Sequence, residues 1–440
     1  MVAFGTAMIA NERLERQLDD FDRGRRSEAL TQLWRAAERG EDVLAASGAD
    51  VNLHAHTFFS YNAYGYSPSK FAWLARKAGL AVAGIVDFDV LDGVDEFFDA
   101  GRLIGLKCCA GLESRVFVPE FATLEINSPG EPGVAYNMGV GFPRAASHPF
   151  LAEMRAAAKK RTRGIIERVN AYLDPVKLDF DTDVAPLTPS GNATERHLCE
   201  AYERKAADVF PDAARRAAFW TERLGGAPSE SAKLQGLIRA KTMKQGGVGY
   251  VAPDRGSFPE MAKMNRFVAE AGAIPTVAWL DGASEGERRM DEFVDIAIAS
   301  GAAALNVIPD RNYTPGKPES KLKNLYEVVA LAERRGFPVI AGTEMNAPGQ
   351  KFVDSFSSAE LKPLAPMFLR SAHIVCAHTV LQRELGLGYL SPWAKASFSS
   401  IATKNEFFAA AGRALRPGGE KRLSVIDAST SPKQLLASLE

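Results

Sequence analysis

The sequence has few cysteines, no excess of either charge and no long apolar run. Its four cysteines include one adjacent pair but no CxxC pair and no dense disulfide framework, which is typical of a reducing compartment. Lysine plus arginine (53) and aspartate plus glutamate (54) nearly cancel, so no overall field attracts nucleic acid or an anionic membrane. The opening MVAFGTAMIA is too short for a secretory signal and lacks its basic start. We therefore expect a cytoplasmic protein without nucleic-acid or membrane partners; composition does not indicate its oligomeric state.

The 440 residues are many for one domain, but they suit an α/β barrel with an insertion. A charged helical pattern runs from Asn11 to about Ala46. Short apolar runs separated by helical stretches follow, which is typical of buried parallel strands. Six or seven such units favour a barrel, although a doubly wound sheet is an alternative that the sequence does not exclude. The runs after the first, VNLHAH, are AVAGIVDFD, LKCCAGLES, AIPTVAWLD, AALNVIPD, FPVIAGTE and AHIVCAHT.

Polar residues follow these apolar runs with unusual regularity. In α/β barrels the loops after the strands converge on one mouth, where enzyme sites lie. One polar residue in such a place means little, but a repeated pattern predicts an active-site mouth. The residues that end the runs are His54, His56, Asp87, Glu113, Asp281, Asp310, Glu344 and His378.

The segment NLHAHTFFSYNAYGYSP is the most informative part of the chain. His54 and His56, at i and i+2 of a strand end, point the same way and can bind one cation. Taken alone, an HxH pair is as often structural as functional. Here Thr57, Ser60 and the Ser67–Pro68 pair follow in an order that resembles the HxHT…S…SP opening of the polymerase-and-histidinol-phosphatase (PHP) family.

The resemblance to the PHP family continues in order along the chain. GIVDFDVLDG resembles its TDHDTLSG strand end, GLES its GxE element, and AAAKKRTRGIIERVNAYL its arginine-rich helix. ATERHLCEAY resembles its GRPHIA segment, AGAIPTVAWLD its GGVAVLAHP strand, and AGTEMNAPGQ its closing GSDFHG. The matched segments span residues 48–350.

This resemblance implies an α/β fold, a distorted TIM-like (β/α)7 barrel of PHP type with a helical insertion. The implied organisation is a helical lead-in over 1–47, barrel parts over 48–146 and 248–350, and a helical insertion over 147–247. A C-terminal α/β extension over 351–440 completes the barrel.

The resemblance also implies a metal site. His54, His56, Glu113 and Glu344 match ligand positions, and two imidazoles with two carboxylates suit one Zn²⁺, Mn²⁺ or Fe²⁺ per chain. Asp87 matches an acidic residue that acts as general base or orients a histidine or a water.

Several other ligand positions of the family are replaced in this chain. The family's remaining imidazoles and an aspartate fall on side chains that do not bind transition metals well, so a three-metal cluster is not expected. The replaced positions are Tyr61, Phe88, Tyr136 or Asn137, Trp279 and Asn346. Oxygen atoms of Asp89, Asn137, Asp281 and Asn346 form a weaker set for a hard cation.

The insertion carries candidate phosphate contacts. Arg161 and Arg163 lie in the basic helix that resembles the family's arginine-rich helix, and guanidinium groups bind phosphate through paired hydrogen bonds. His197 matches a phosphate-facing histidine of the family. The alternative for all three is an exposed helix face. For His378 a structural role and a replacement ligand are equally plausible, whereas His148 and His373 are expected to be structural.

The expected function is metal-assisted hydrolysis of a small phosphate ester, with a metal-activated water as nucleophile. Two alternatives stay open. Loss of family ligands is also typical of a non-catalytic barrel that keeps one metal or none. The same pocket, lined by aromatic replacements, could instead serve amide hydrolysis or sugar isomerisation, because one barrel supports many chemistries.

Overall fold

The computed structural model describes residues 2–253, 256–313, 319–420, 423 and 426–439. Two compact units divide the chain. The barrel unit comprises Met1–Thr57, Asn62–Ala146 and Pro259–Glu440, and the helical unit comprises Phe58–Tyr61 and Ser147–Phe258. The second segment of the helical unit thus begins where the sequence predicts an insertion and extends beyond its predicted end at 247.

The strands all lie in the barrel unit: β1 Val51–Ala55, β2 Val82–Phe88, β3 Cys108–Phe117, β4 Val134–Val140, β5 Ile274–Ala278, β6 Ala304–Val307 and β7 Val339–Ala341. The helices before the insertion are α1 Val2–Gln17, α2 Arg23–Glu38, α3 Pro68–Lys77 and α4 Val94–Ile104. Those of the helical unit are α5 Pro149–Tyr172, α6 Glu195–Val209, α7 Ala213–Leu224 and α8 Ser231–Thr242. The later helices are α9 Met261–Glu270, α10 Glu285–Arg288, α11 Met290–Ala299, α12 Pro309–Tyr313, α13 Glu319–Arg334, α14 Ala365–Leu385, α15 Pro392–Ser397, α16 Ile401–Ala414 and α17 Pro432–Leu439.

The seven strands form one sheet in sequence order, and the sheet nearly closes on itself. All neighbours are parallel except β4, which runs antiparallel to β3 and β5. The ends meet just beyond β7, where the backbone nitrogens of Thr343 and Glu344 donate to the His54 carbonyl at 3.1 and 2.7 Å. The His56 nitrogen donates to the Glu344 carbonyl at 2.8 Å. The predicted α/β fold, a distorted TIM-like barrel, is therefore confirmed.

A glycine permits the close approach at this closure. A β-carbon on Gly342 would lie 2.4 Å from the backbone nitrogen of His54 and 2.5 Å from its β-carbon. Real side chains do not tolerate such distances, so position 342 has to be glycine for β1 to reach the end of β7. This contact also fixes the backbone of His54.

The predicted strand AHIVCAHT is wrong, because these residues lie within the long helix α14. The central residues of α14, from Ser371 to Thr379, are all buried. A helix buried on every side has a continuous apolar sequence that periodicity cannot distinguish from a buried strand. In the part of residues 351–440 that the structure describes, no residue adds a strand to the barrel.

The sequence pattern missed strand β4, which lies between β3 and β5 and brings the number of strands to seven. Its segment, VAYNMGV, interrupts its apolar residues with Tyr136 and Asn137. The Asn137 side chain donates to the side-chain oxygen of Asn265 at 2.8 Å within the core. This buried amide pair explains how a polar residue occupies an otherwise apolar strand.

Among its described residues the helical unit contains no strand. Its helices pack around a core of their own that includes Val169, Leu198, Tyr202 and Ile238. Across the described part of the chain, no helix is both long and apolar enough to span a membrane.

Candidate metal centre

Strands β1 and β3, which lie on either side of β2, bring His54, His56 and Glu113 together. The histidines lie at the carboxyl end of β1, and Glu113 lies on β3. One ligand atom from each residue lies within 4.8 Å of the other two. The Oε2 atom of Glu113 is 3.6 Å from Nε2 of His54 and 3.3 Å from Nε2 of His56. Two ligands about 2.1 Å from a tetrahedral ion are about 3.4 Å apart, so these distances match one shared cation.

All three side chains are almost completely buried, with relative exposures of 1% for His54, 0% for His56 and 3% for Glu113. Outside the contacts of the cluster itself, the residues that the structure describes offer no hydrogen bond to Nε2 of His54 or Oε2 of Glu113. Burying a polar atom without a partner is costly, and groups that bind a cation are a common reason for it.

Asn306, at the centre of β6, sets the orientation and tautomer of His54. Its Oδ1 atom lies 3.1 Å from Nδ1 of His54, and its Nδ2 atom donates to the carbonyl of Ile340 at 3.1 Å. Because the amide nitrogen is used by a carbonyl, the oxygen must face the histidine, and Nδ1 of neutral His54 must carry the proton. Nε2 therefore presents its lone pair to the site, as a metal ligand requires.

The charges of the cluster reinforce each other. Burial opposes the ionised form of Glu113, but hydrogen bonds and positive charge from His54 and His56 in their protonated, metal-free forms lower the pKa of this carboxyl to about 2. Burial likewise disfavours the charged form of His54, yet Glu113 and Glu344 raise its pKa above the ordinary value. The site thus has an ionised carboxylate whose attraction for a cation is expressed in a dry environment.

Phe88 occupies the position where the family resemblance expects a histidine. Its ring stacks on His56 with the centroids 4.6 Å apart and the planes inclined by 17°. The phenyl ring cannot bind a metal, but it covers one face of the His56 ring and restricts its orientation. Trp279, a second replaced position, is 1% exposed and buried in the barrel unit.

Asp87 acts on the backbone that follows the histidines. One carboxylate oxygen accepts from the nitrogen of Thr57 and the other from its hydroxyl, each at 2.7 Å. These bonds fix the residue directly after His56, which is an orienting role. A further role of Asp87 as general base stays a prediction.

Glu344 lies beside the cluster but is not one of its three members. Its carboxylate accepts from Nε2 of Gln350 at 3.0 Å and lies 3.9 Å from the guanidinium of Arg311. The backbone of Glu344 has a φ of 61°. The prediction that Glu344 ligates the metal is not tested by these contacts.

Three non-glycine residues of the described chain have left-handed backbones, and all follow β2 or β7, the two strands that flank β1. They are Asp89 after β2 and the adjacent Glu344 and Met345 after β7, with φ values of 58°, 61° and 57°. Such conformations cost free energy and cluster at functional sites. Aspartate tolerates this conformation better than most residues, whereas glutamate and methionine do not, so Glu344 and Met345 carry no signal for it in the sequence.

The weaker set for a hard cation has partners of its own. Asp89 accepts from the hydroxyl of Ser114 at 2.6 Å, and Asp281 pairs with Lys321 at 2.5 Å. The last candidate histidine of the barrel, His378, is buried in α14 and accepts from the backbone nitrogen of Tyr389 at 2.9 Å. This bond favours a structural role for His378.

The candidate phosphate contacts all have partners inside the helical unit. Arg163 donates to both carboxylate oxygens of Asp181 at 2.7 Å. Arg161 donates to the carbonyl of Ser257 at 3.1 Å. His197 accepts from the backbone nitrogen of Thr194 at the start of α6, and burial lowers its pKa to about 3. A neutral imidazole brings no charge to a phosphate, but phosphate binding by these residues stays a prediction.

Comparisons with known proteins give similarities of fold at low identity. No family profile and no curated protein matches the sequence. An amidohydrolase from Chromobacterium violaceum, solved with sulfate and without metal, aligns at 16% identity and a TM-score of 0.48 over 72% of this chain and 96% of its own. A predicted metal-dependent phosphoesterase from Bifidobacterium adolescentis aligns at 20% identity and a TM-score of 0.48, over 74% of this chain and 98% of its own. At this level neither similarity carries an argument about function, and membership of the PHP family stays a prediction.

Proposed function

We propose that this protein is a metal-dependent hydrolase that holds one divalent transition metal on His54, His56 and Glu113. The observation that carries the proposal is the convergence of three buried ligand atoms with separations of 3.3 and 3.6 Å from the shared carboxylate oxygen. Two imidazoles and one carboxylate are a donor set of catalytic zinc sites, in which a further position is left for water or substrate.

The residues present fit such an ion by an independent criterion. Nε2 of His54 and Oε2 of Glu113 are buried atoms to which the described residues outside the cluster offer no hydrogen bond, and Asn306 holds the proton of neutral His54 on the opposite nitrogen. When bound, a divalent transition metal supplies Lewis acidity and lets water act as a nucleophile at neutral pH.

The surrounding chain keeps the site rigid and restricts water. Phe88 covers one face of His56, and Asp87 fixes Thr57 behind it. Gly342 allows β1 and the end of β7 to share hydrogen bonds at the level of His54. Such preorganisation keeps the ligands in position without reorganisation during a reaction.

We further propose that the substrate is a small phosphate ester, recognised in part by Arg311. This arginine lies on α12, the short helix after β6, and its side chain is 39% exposed. Its guanidinium is 3.9 Å from Glu344, whose charge reaches His54. An exposed guanidinium beside a metal centre provides bidentate hydrogen bonding and a positive charge for a phosphoryl group.

Hydrolysis of chromogenic substrates by metal-loaded protein tests this function. We expect p-nitrophenyl phosphate to be cleaved in the presence of Zn²⁺, Mn²⁺ or Fe²⁺, and cleavage to be lost in His54→Ala and Glu113→Gln. Glu120→Gln, which changes an exposed glutamate just beyond β3, is the matched control and should leave the rate unchanged.

Two results would contradict the proposal. Equal cleavage by wild type and Glu113→Gln would place the activity elsewhere. Metal binding without cleavage of any phosphate ester, carboxylic ester or anilide would identify a non-catalytic metal protein. Cleavage of p-nitrophenyl acetate or an anilide alone would keep the metal hydrolase and exclude the phosphate substrate.

A further inference from the structure

Two aromatic side chains lie beside the candidate metal centre on the same face of the sheet. Phe88, at the end of β2, is paired in register with Glu113 on β3. Tyr136, on β4, is paired with Arg115, which follows Glu113 by two residues on β3. Paired residues of neighbouring strands lie on one face of a sheet, and so do residues two apart along a strand. Phe88 and Tyr136 therefore share the face of Glu113.

The aromatic rings follow one another outward from a candidate metal ligand. The ring of Phe88 stacks on that of His56 with the centroids 4.6 Å apart. The ring of Tyr136 lies 6.1 Å from that of Phe88, with the planes inclined by 50°. Phe88 and Tyr136 are both half-buried, whereas His56 is completely buried. A single phenyl ring thus separates the partly exposed ring of Tyr136 from the metal centre.

A buried amide fixes the backbone of Tyr136. The nitrogen of Tyr136 donates to Oδ1 of Asn127 at 2.7 Å, and Nδ2 of Asn127 donates to the carbonyl of Ala278, the last residue of β5, at 2.8 Å. Asn127 is 5% exposed. These bonds tie the start of β4 to the end of β5, so the backbone that carries the Tyr136 ring is already ordered. Contact with a ligand then costs less conformational entropy than contact with a mobile loop.

The arginine next to Tyr136 is neutralised by a carboxylate. The guanidinium of Arg115 lies 2.9 Å from Glu131, and the hydroxyl of Ser128 donates to the same carboxylate. A second anionic group beside Tyr136 would therefore gain little from Arg115. An uncharged aromatic group suits the place better, because aromatic pairs gain from offset and edge-to-face contacts beyond the area that they bury.

We propose that Tyr136 is a specificity-determining residue that selects aryl phosphate esters, in which an aromatic ring is attached directly to a phosphate oxygen. This inference rests on the proposed function, since the phosphoryl group has to lie at a metal on His54, His56 and Glu113. The ring of an aryl ester then lies close enough to the metal centre to contact Phe88 and Tyr136. An alicyclic group of similar size buries a similar apolar area but lacks the aromatic contacts.

Calorimetric titration of the zinc-loaded, full-length protein with two phosphonates tests the inference without turnover. Phenylphosphonate and cyclohexylphosphonate carry the same acid group and rings of similar size, but only the phenyl ring is aromatic. We expect phenylphosphonate to bind about 2- to 10-fold more tightly. Tyr136→Phe keeps the ring and should retain this ratio, whereas Tyr136→Leu should bring the ratio close to one without changing zinc content. The control Tyr326→Leu, which changes a half-buried tyrosine of α13, should keep the wild-type ratio.

The outcomes separate this inference from the function on which it rests. Equal affinities of the wild type for the two phosphonates would overturn the aromatic specificity and leave the metal-dependent phosphate site intact, and this comparison needs no variant. The wild-type ratio in Tyr136→Leu would overturn the role of Tyr136. If neither phosphonate bound to the zinc-loaded wild type, the phosphate substrate and the specificity would both be refuted.

Discussion

Replacing Asn306 by leucine should weaken metal binding although Asn306 does not touch the ion. Leucine has a similar size but cannot accept the bond from Nδ1 of His54 or donate to the carbonyl of Ile340, both at 3.1 Å in the native protein. The proton of His54 is then free to move to Nε2, where it competes with the metal. Removal of such a supporting bond costs about 10- to 100-fold in metal affinity, or roughly 1.4–2.7 kcal/mol.

The affinity of Asn306→Leu should be measured by competition with a chromophoric chelator, beside unfolding curves of the metal-free protein. The matched control is Asn405→Leu, because Asn405 is also a buried amide that accepts one side-chain bond and donates to a carbonyl. The control should lose stability, since it leaves buried groups unpaired, but keep its metal affinity. Equal metal affinities of Asn306→Leu and wild type would refute the idea that Asn306 sets the tautomer of His54.

Three further outcomes are expected. Gly342→Ala should destabilise the protein by at least about 2 kcal/mol and abolish metal binding, because its β-carbon would collide with His54. The control Gly236→Ala, on an open helix face, should do neither. Equal unfolding curves of Gly342→Ala and wild type would contradict this expectation. Burial and a nearby carboxylate raise the pKa of Asp354 to about 8, from an ordinary value of 3.8. Between these two values the folded state keeps the proton of Asp354, whereas the unfolded state has released it. The unfolding free energy of wild type should therefore fall relative to Asp354→Asn between pH 4 and 8, at most by about 1.4 kcal/mol per pKa unit, and parallel pH profiles would exclude this titration. Arg311→Gln should raise KM for p-nitrophenyl phosphate about tenfold or more without changing metal content, and an unchanged KM would remove Arg311 from the site.

The barrel and the position of its mouth could be predicted from sequence because both depend on local patterns. Buried parallel strands are short apolar runs, and the polar residues that follow them converge at one end. This pattern placed His54, His56 and Glu113 among eight polar residues at one mouth, and the resemblance to the PHP family then selected them, together with Glu344, as ligands. Prediction from the pattern failed where the same pattern has two causes, as in α14, where burial on all sides gives the continuous apolar run of a strand.

The details of the site depend on pairings that leave no local signal. Asn306 is a single polar residue in a short apolar strand, and only its contacts with β1 and β7 show that it supports His54. That Glu344 binds the metal stays a prediction. No local pattern indicates its left-handed backbone or its contacts with Gln350 and Arg311. The partner of Arg163, Asp181, likewise becomes visible only when the helical unit is folded.

The metal content of the protein tests the central claim most directly. Metal-free protein titrated with Zn²⁺ or Mn²⁺ should bind about one equivalent tightly, as measured by elemental analysis after dialysis. The double variant His54→Ala/His56→Ala should retain none, while His148→Ala should retain one. No tightly bound metal in wild type, or one equivalent retained by the double variant, would contradict a metal centre on His54, His56 and Glu113.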